Sequence, residues 1–86
     1  MGRHQKLLRS ILGGRADANV AFDDLRSLLH FLGFAENVRG SHHMFRHALV
    51  LELLNLHHHG SKAKVYQVRQ VRAILARHAF ELDAEA

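Results

Sequence analysis

Apolar residues recur every three or four positions in three stretches of the chain, and this spacing predicts three helices. The first covers residues 3–12 and ends at the pair Gly13–Gly14. The second covers residues 22–32 and stops at Gly33, because glycine adopts the left-handed conformation after a helix at little cost. The third covers residues 65–79.

The segment between the second and third helices has a different pattern, which predicts three short strands at residues 34–39, 41–47 and 51–57. Gly40 and residues 46–49 connect them as an antiparallel meander. The leucine-rich third segment also fits a helix, but it is short and ends at a polar cluster, which favours a strand. The predicted order is α-α-β-β-β-α, an α+β fold with helices on one face of a three-stranded antiparallel sheet and the other face open. Double-stranded-RNA-binding domains share this plan of a helix, a three-stranded sheet and a closing helix.

A chain of 86 residues supports one packed domain. We divide it into an N-terminal helix and loop extension at 1–20, a domain at 21–80 and an acidic tail at 81–86. The absence of cysteine excludes disulfides and cysteine-based zinc sites. The apolar stretches are too short to span a membrane and no signal-peptide pattern is present, so we expect a cytoplasmic protein.

The charge distribution is strongly basic. Twelve Lys and Arg residues oppose eight Asp and Glu residues, and three of those acids lie in the tail. Such a surface attracts polyanions, although it also serves solubility. The chain also contains nine histidines, which can titrate near neutral pH, bind a metal or transfer protons.

Strand alternation separates the two consecutive histidines of the second strand. His43 shares a face with Phe45, which belongs in the core, so we expect His43 to be a hydrogen-bonded packing residue. His42 then lies on the accessible face. From the residues alone, His42 is either a proton-transferring group or a strand histidine bonded to a neighbouring carbonyl.

Four motifs follow one another along the chain: D-L-x-x-L-L-x-x-L-G-F at 24–34, R-G-S-H-H-M-F at 39–45, N-L-H at 55–57 and G-S-K-A-K-V-Y-Q-V-R-Q-V at 60–71. With these motifs in this order, the chain resembles the HicA toxin family from Phe22 to Leu75, about two thirds of its length. Two features depart from the family. Residues 1–20 precede the point where compact members begin, and Val65 stands where related longer members often have proline.

The resemblance implies a fold like that of double-stranded-RNA-binding domains, cleavage of messenger RNA and neutralisation by a HicB-type antitoxin. It also implies that His42, in the Gly-Ser-His element, is the essential histidine. Cleavage needs no metal or other cofactor, because the 2′-hydroxyl of RNA is the nucleophile. A histidine can remove its proton, or act as the acid if a second group does so. We therefore expect an endoribonuclease of a type II toxin–antitoxin system.

Basic residues around the last helix predict the path of the RNA. Lys62 and Lys64 precede this helix, where free backbone N–H groups already attract anions, although a solvated helix start would look the same. The histidine run 57–59 invites a metal site, but an RNA-contacting or surface cluster fits it better. Two other functions stay open, a non-catalytic RNA-binding module and a protein-interaction domain. The predicted RNA-binding residues are Arg39, Ser41, Lys62, Lys64, Arg69 and Arg72.

Overall fold

The computed structural model describes residues 2–78, except for the side chain of His59, and the predicted acidic tail at 81–86 lies outside the described residues. The two N-terminal helices end at left-handed glycines, Gly14 (φ 69°) and Gly33 (φ 98°), as the sequence predicts. The helices are α1 (Arg3–Gly13), α2 (Phe22–Phe31) and α3 (Val65–Arg77), with a 3₁₀ turn at Asp17–Asn19 between the first two.

The three strands β1 (Ala35–Arg39), β2 (His42–His47) and β3 (Val50–Leu56) form an antiparallel sheet with β2 in the centre. The leucine-rich third segment is therefore a strand, and the predicted α+β fold with the order α-α-β-β-β-α is confirmed. Gly40 closes the turn between β1 and β2 with φ 59°, a conformation that a side chain disfavours.

A second, very small sheet occupies the segment between β3 and α3. Here β4 (His58–His59) pairs with β5 (Lys62–Ala63). The other edge of β5 bonds to the chain before α2, since the N–H of Ala63 donates to the carbonyl of Val20 at 2.9 Å. These bonds satisfy backbone groups that a loop would leave to water.

The N-terminal extension is part of the core. Helix α3 packs against β3, α2 packs against β1, and α1 packs against both of these helices. Leu8 and Ile11 of α1 are 3% and 1% exposed and belong to the same apolar cluster as the sheet residues. Burying a side chain of this size contributes about 1.5–3 kcal/mol, so α1 is a substantial source of stability.

Alternation along β3 separates the two faces of the sheet. Val50, Leu54 and Leu56 are buried under the helices, whereas Leu51 and Leu53 are exposed on the other face. One face of the sheet is therefore open, as predicted. Within residues 2–78, no helix combines the length and the apolar character needed to cross a membrane.

Candidate active site

His42 lies at one end of the open face, with its side chain exposed. The register of β1 and β2 places Arg39 opposite it. On its other side, His57 follows directly after β3, and the centroids of the two imidazole rings are 4.7 Å apart with the ring planes at 67°. Strand alternation predicts the exposure of His42, and the sheet register adds two neighbours that can carry positive charge.

Asn55 orients the His42 ring. Its Oδ1 lies 3.3 Å from Nδ1 of His42. Because an amide oxygen only accepts hydrogen bonds, Nδ1 carries the hydrogen and Nε2 is left to exchange a proton with a substrate. Asn55 is a functional residue that the sequence motifs did not single out. The available signal was its position two residues before His57, which puts both on one face of the strand.

Gln67 holds the backbone at His57. It lies on α3 and is the buried polar residue of the described chain, with an exposed fraction of 0%. In the amide orientation that satisfies both of its polar atoms, the nitrogen donates to the carbonyl of His57 at 2.7 Å and the oxygen accepts from the N–H of His57 at 3.0 Å. Two hydrogen bonds from one buried side chain thus fix where β3 ends. Its role is not visible in the sequence, because Gln67 resembles any polar position of a helix.

The surroundings of His57 favour its neutral form. Desolvation lowers the pKa of His57, and the positive charges of His42, Lys64, His58 and His43 lower it further. Lys64 is the residue before α3, and its charge is one of those that act on His57. The geometry thus brings together Arg39, His42, His57 and Lys64.

The other predicted RNA contacts lie elsewhere or are engaged. Nε of Arg72 donates to the carbonyl of Ile11 at 2.6 Å, and a second nitrogen of the same guanidinium bonds to Asp17. Arg69 is 3.7 Å from the same carboxylate. These contacts give Arg72 a role in joining α1 to α3.

Ser41 adjoins the site, whereas Lys62 is engaged with the 3₁₀ turn at Asp17–Asn19. Ser41 is exposed in the turn between β1 and β2, next to His42. Lys62 is exposed on β5, and its Nζ donates to Asn19 Oδ1 at 3.4 Å. Tyr66, at the start of α3, is 57% exposed and so is available to stack on a base.

A shallow depression of about 160 Å³ continues the open face away from His42. Its floor is apolar and its rim carries an amide and a guanidinium, groups that together suit a splayed-out base. The lining residues are Ala35, Glu36, Asn37, Met44, Arg46 and Leu53.

His43 lies on the opposite, helix-covered face, as the alternation predicts. Its Nδ1 donates to Glu36 Oε2 at 2.6 Å, and its ring meets the edge of Phe22 with the centroids 5.0 Å apart. The side chain is 13% exposed. The expectation of a hydrogen-bonded packing residue holds, and no substrate reaches this ring from the open face.

The imidazole pair, with His42 exposed and His57 half-buried, can transfer protons, and Arg39 and Lys64 can hold an anionic phosphate beside it. In the part of the chain that the structure describes, no three His, Asp or Glu side chains converge as metal ligands, and the side chain of His59 lies outside that part. No protein-family model, curated protein or solved structure matches the chain.

Proposed function

We propose that this chain is a HicA-type ribonuclease toxin, a metal-independent endoribonuclease that cleaves messenger RNA in the cytoplasm. The observation that carries the proposal is the exposed His42 ring on the open sheet face. Asn55 fixes the tautomer of this ring, and Arg39 lies opposite it. The resemblance of the sequence to the HicA family assigns the essential role to the same histidine.

The chemistry requires little more than proton transfer and charge stabilisation. Removal of the proton from a 2′-hydroxyl lets O2′ attack the adjacent phosphorus, and the P–O5′ bond then breaks. The products are a 2′,3′-cyclic phosphate and a 5′-hydroxyl. A histidine suits the transfer because its pKa lies near the working pH, and Arg39 and Lys64 provide positive charge where the phosphorane-like transition state is most negative.

The overall charge and shape support an RNA substrate. The described residues carry the chain's twelve Lys and Arg residues, whereas three of the eight acids lie in the tail. An open sheet face flanked by such charge attracts the phosphate backbone by counterion release.

A HicB-type antitoxin as the protein partner follows from the family resemblance. The structure offers an apolar area that such a partner would cover: Leu49, Leu51 and Leu53 are 79%, 100% and 43% exposed. Exposed apolar side chains that cluster in this way mark protein-interaction surfaces. Two of them belong to β3, an edge strand of the sheet.

The test is cleavage of 5′-labelled RNA by the purified protein, with and without EDTA. We expect fragments that end in a cyclic phosphate, at the same rate with the chelator, and loss of cleavage in His42→Ala with an unchanged urea midpoint. His4→Ala is the matched control, because His4 lies on α1, where its Nε2 is 2.8 Å from Ser27 Oγ and its ring stacks on Phe31. Cleavage by His42→Ala at the wild-type rate would refute the catalytic assignment. RNA bound by the wild type but left uncut would instead indicate a non-catalytic RNA-binding module.

A further inference from the structure

The ribonuclease proposal leaves one proton unassigned, since both the attacking and the departing oxygen exchange a proton. We propose that His57 is the second catalytic group, the base that takes the 2′-hydroxyl proton, while His42 is the acid that protonates the departing O5′. This inference rests on the proposed ribonuclease function. Three independent features of the structure support it.

The first feature is the placement of the two rings. Both lie on the open side at the same end of the sheet, with their centroids 4.7 Å apart and their planes steeply inclined. In an in-line displacement, the attacking and departing oxygens stand on opposite sides of the phosphorus. Two imidazoles on neighbouring strands can reach both sides of one phosphodiester, which a single ring cannot do within one step.

The second feature is the fixation of His57 by Gln67. An amide buried to 0% exposure and bonded to both backbone groups of His57 places that residue relative to α3 as well as to the sheet. A buried amide loses its hydrogen bonds to water, so its presence needs compensation by well-made bonds inside the protein. Here the compensation comes from the backbone of His57, which makes Gln67 a positioning residue for this histidine.

The third feature is the charge around the pair. Arg39 of β1 lies opposite His42 of β2, and His58 is the chain neighbour of His57. Burial and the charges of His42, Lys64, His58 and His43 lower the pKa of His57, which favours the neutral form that accepts a proton. The Nδ1–H of His42 is engaged with Asn55. When the ring is protonated, its second proton is on Nε2, which is left to donate to the substrate.

The proposed step balances. Neutral His57 takes the proton of the 2′-hydroxyl, the O2′–P bond forms, the P–O5′ bond breaks, and protonated His42 gives its proton to O5′. The products are the cyclic phosphate and the 5′-hydroxyl, with His57 protonated and His42 neutral. Exchange with water restores both rings.

The test compares an RNA dinucleotide with a uridine 3′-(4-nitrophenyl phosphate), whose leaving group departs without protonation. We expect His42→Ala to lose about 10²–10⁴-fold in rate on the dinucleotide and to keep most of its rate on the nitrophenyl ester. His57→Ala should lose a similar factor on both substrates, and it should lose the acidic limb of a bell-shaped pH–rate profile. His4→Ala should match the wild type on both, because His4 lies on α1 and bonds to Ser27.

The outcomes separate the two proposals. Wild-type rates for His57→Ala on both substrates, with His42→Ala inactive on the dinucleotide, would overturn the role of His57 and leave the ribonuclease proposal standing. Recovery of His57→Ala on the nitrophenyl ester would overturn the assignment of base and acid. A wild-type protein that cleaves neither substrate would overturn both proposals.

Gln67→Leu provides a second test. If Gln67 is a positioning residue, the variant should have a lower kcat and an unchanged KM for the dinucleotide. The pKa of His57, followed by NMR titration, should move toward its ordinary value. A fall in thermal stability with unchanged kcat would show that Gln67 has only a structural role.

Discussion

Glu36 is a nearly buried carboxylate on the helix-covered face of β1, and three side chains donate hydrogen bonds to it. Arg26 donates through Nε at 2.8 Å and Nη2 at 3.0 Å, His30 through Nε2 at 2.8 Å, and His43 through Nδ1 at 2.6 Å. The Glu36 side chain is 7% exposed. Burial alone would raise its pKa, but these hydrogen bonds and the charge of Arg26 together lower the pKa from 4.5 to about 2.

This lowered pKa makes stability depend on acid pH in a defined direction. The folded-state pKa lies below the unfolded one, so the stabilisation is fully present above about pH 4.5 and is lost as the pH falls toward 2. The difference between the folded and unfolded pKa values of Glu36 corresponds to about 3 kcal/mol of stability in all. About 2 kcal/mol of this is already lost near pH 3. In Glu36→Gln the side chain does not titrate, so this part of the pH dependence should disappear.

Urea unfolding of the wild type and of Glu36→Gln, repeated between about pH 3 and pH 7, measures the effect. We expect the variant to be less stable than the wild type at neutral pH. The gap between their free energies of unfolding should narrow by about 2 kcal/mol near pH 3. Asp23→Asn is the control, because Asp23 also pairs with Arg26 but its side chain is 88% exposed. Its gap should stay below about 1 kcal/mol at every pH. A gap for Glu36→Gln that does not change with pH would refute the reasoning.

Other predictions concern the basic residues, the extension and the first turn of the sheet. In the His42→Ala background, where RNA stays uncut, Lys64→Ala should lower the salt dependence of RNA affinity by about one unit of slope, and an unchanged slope would remove Lys64 from the interface. Arg72→Ala should instead lower the free energy of unfolding by about 1–3 kcal/mol and leave that slope unchanged, because its guanidinium bonds to Ile11 and Asp17. Ile11→Ala should cost about 2–5 kcal/mol in urea unfolding, whereas a cost near zero would mean that α1 is detached in solution. Gly40→Ala should lower the free energy of unfolding by about 1–2 kcal/mol, because φ is 59° there. A Cβ at this position would have no neighbour within 4 Å, so the cost comes from the backbone conformation alone.

Periodicity was sufficient to predict the order of the elements, because each one buries a single face. The alternation of side chains along a strand separated His42 from Phe45, since residues an odd number of positions apart lie on opposite faces. The glycines that end α1 and α2 could also be predicted from the sequence. These features depend on residues that are close together in the sequence, so one sequence is enough to predict them.

Contacts between distant residues could not be predicted in this way. Arg72 and Asp17 are 55 positions apart, and their ion pair depends on how α1 packs against α3. The approach of His57 to His42 depends on the register of β2 and β3, which shifts between Phe45 and His47. No local pattern encodes that shift. The role of Gln67 was hidden for the same reason, because its partner is a backbone on another element.

The register of β2 links folding to the proposed chemistry. In this strand, the alternation that buries Phe45 also turns His43 toward Glu36 and His42 toward the open face. A slip by one residue would exchange these two imidazoles, expose the aromatic ring and leave the carboxylate without one of its donors. All three changes are unfavourable, so the contacts that stabilise the sheet also select the register in which His42 can meet His57. The helix-facing His43 thus helps to keep its neighbour His42 available, even though it touches no substrate.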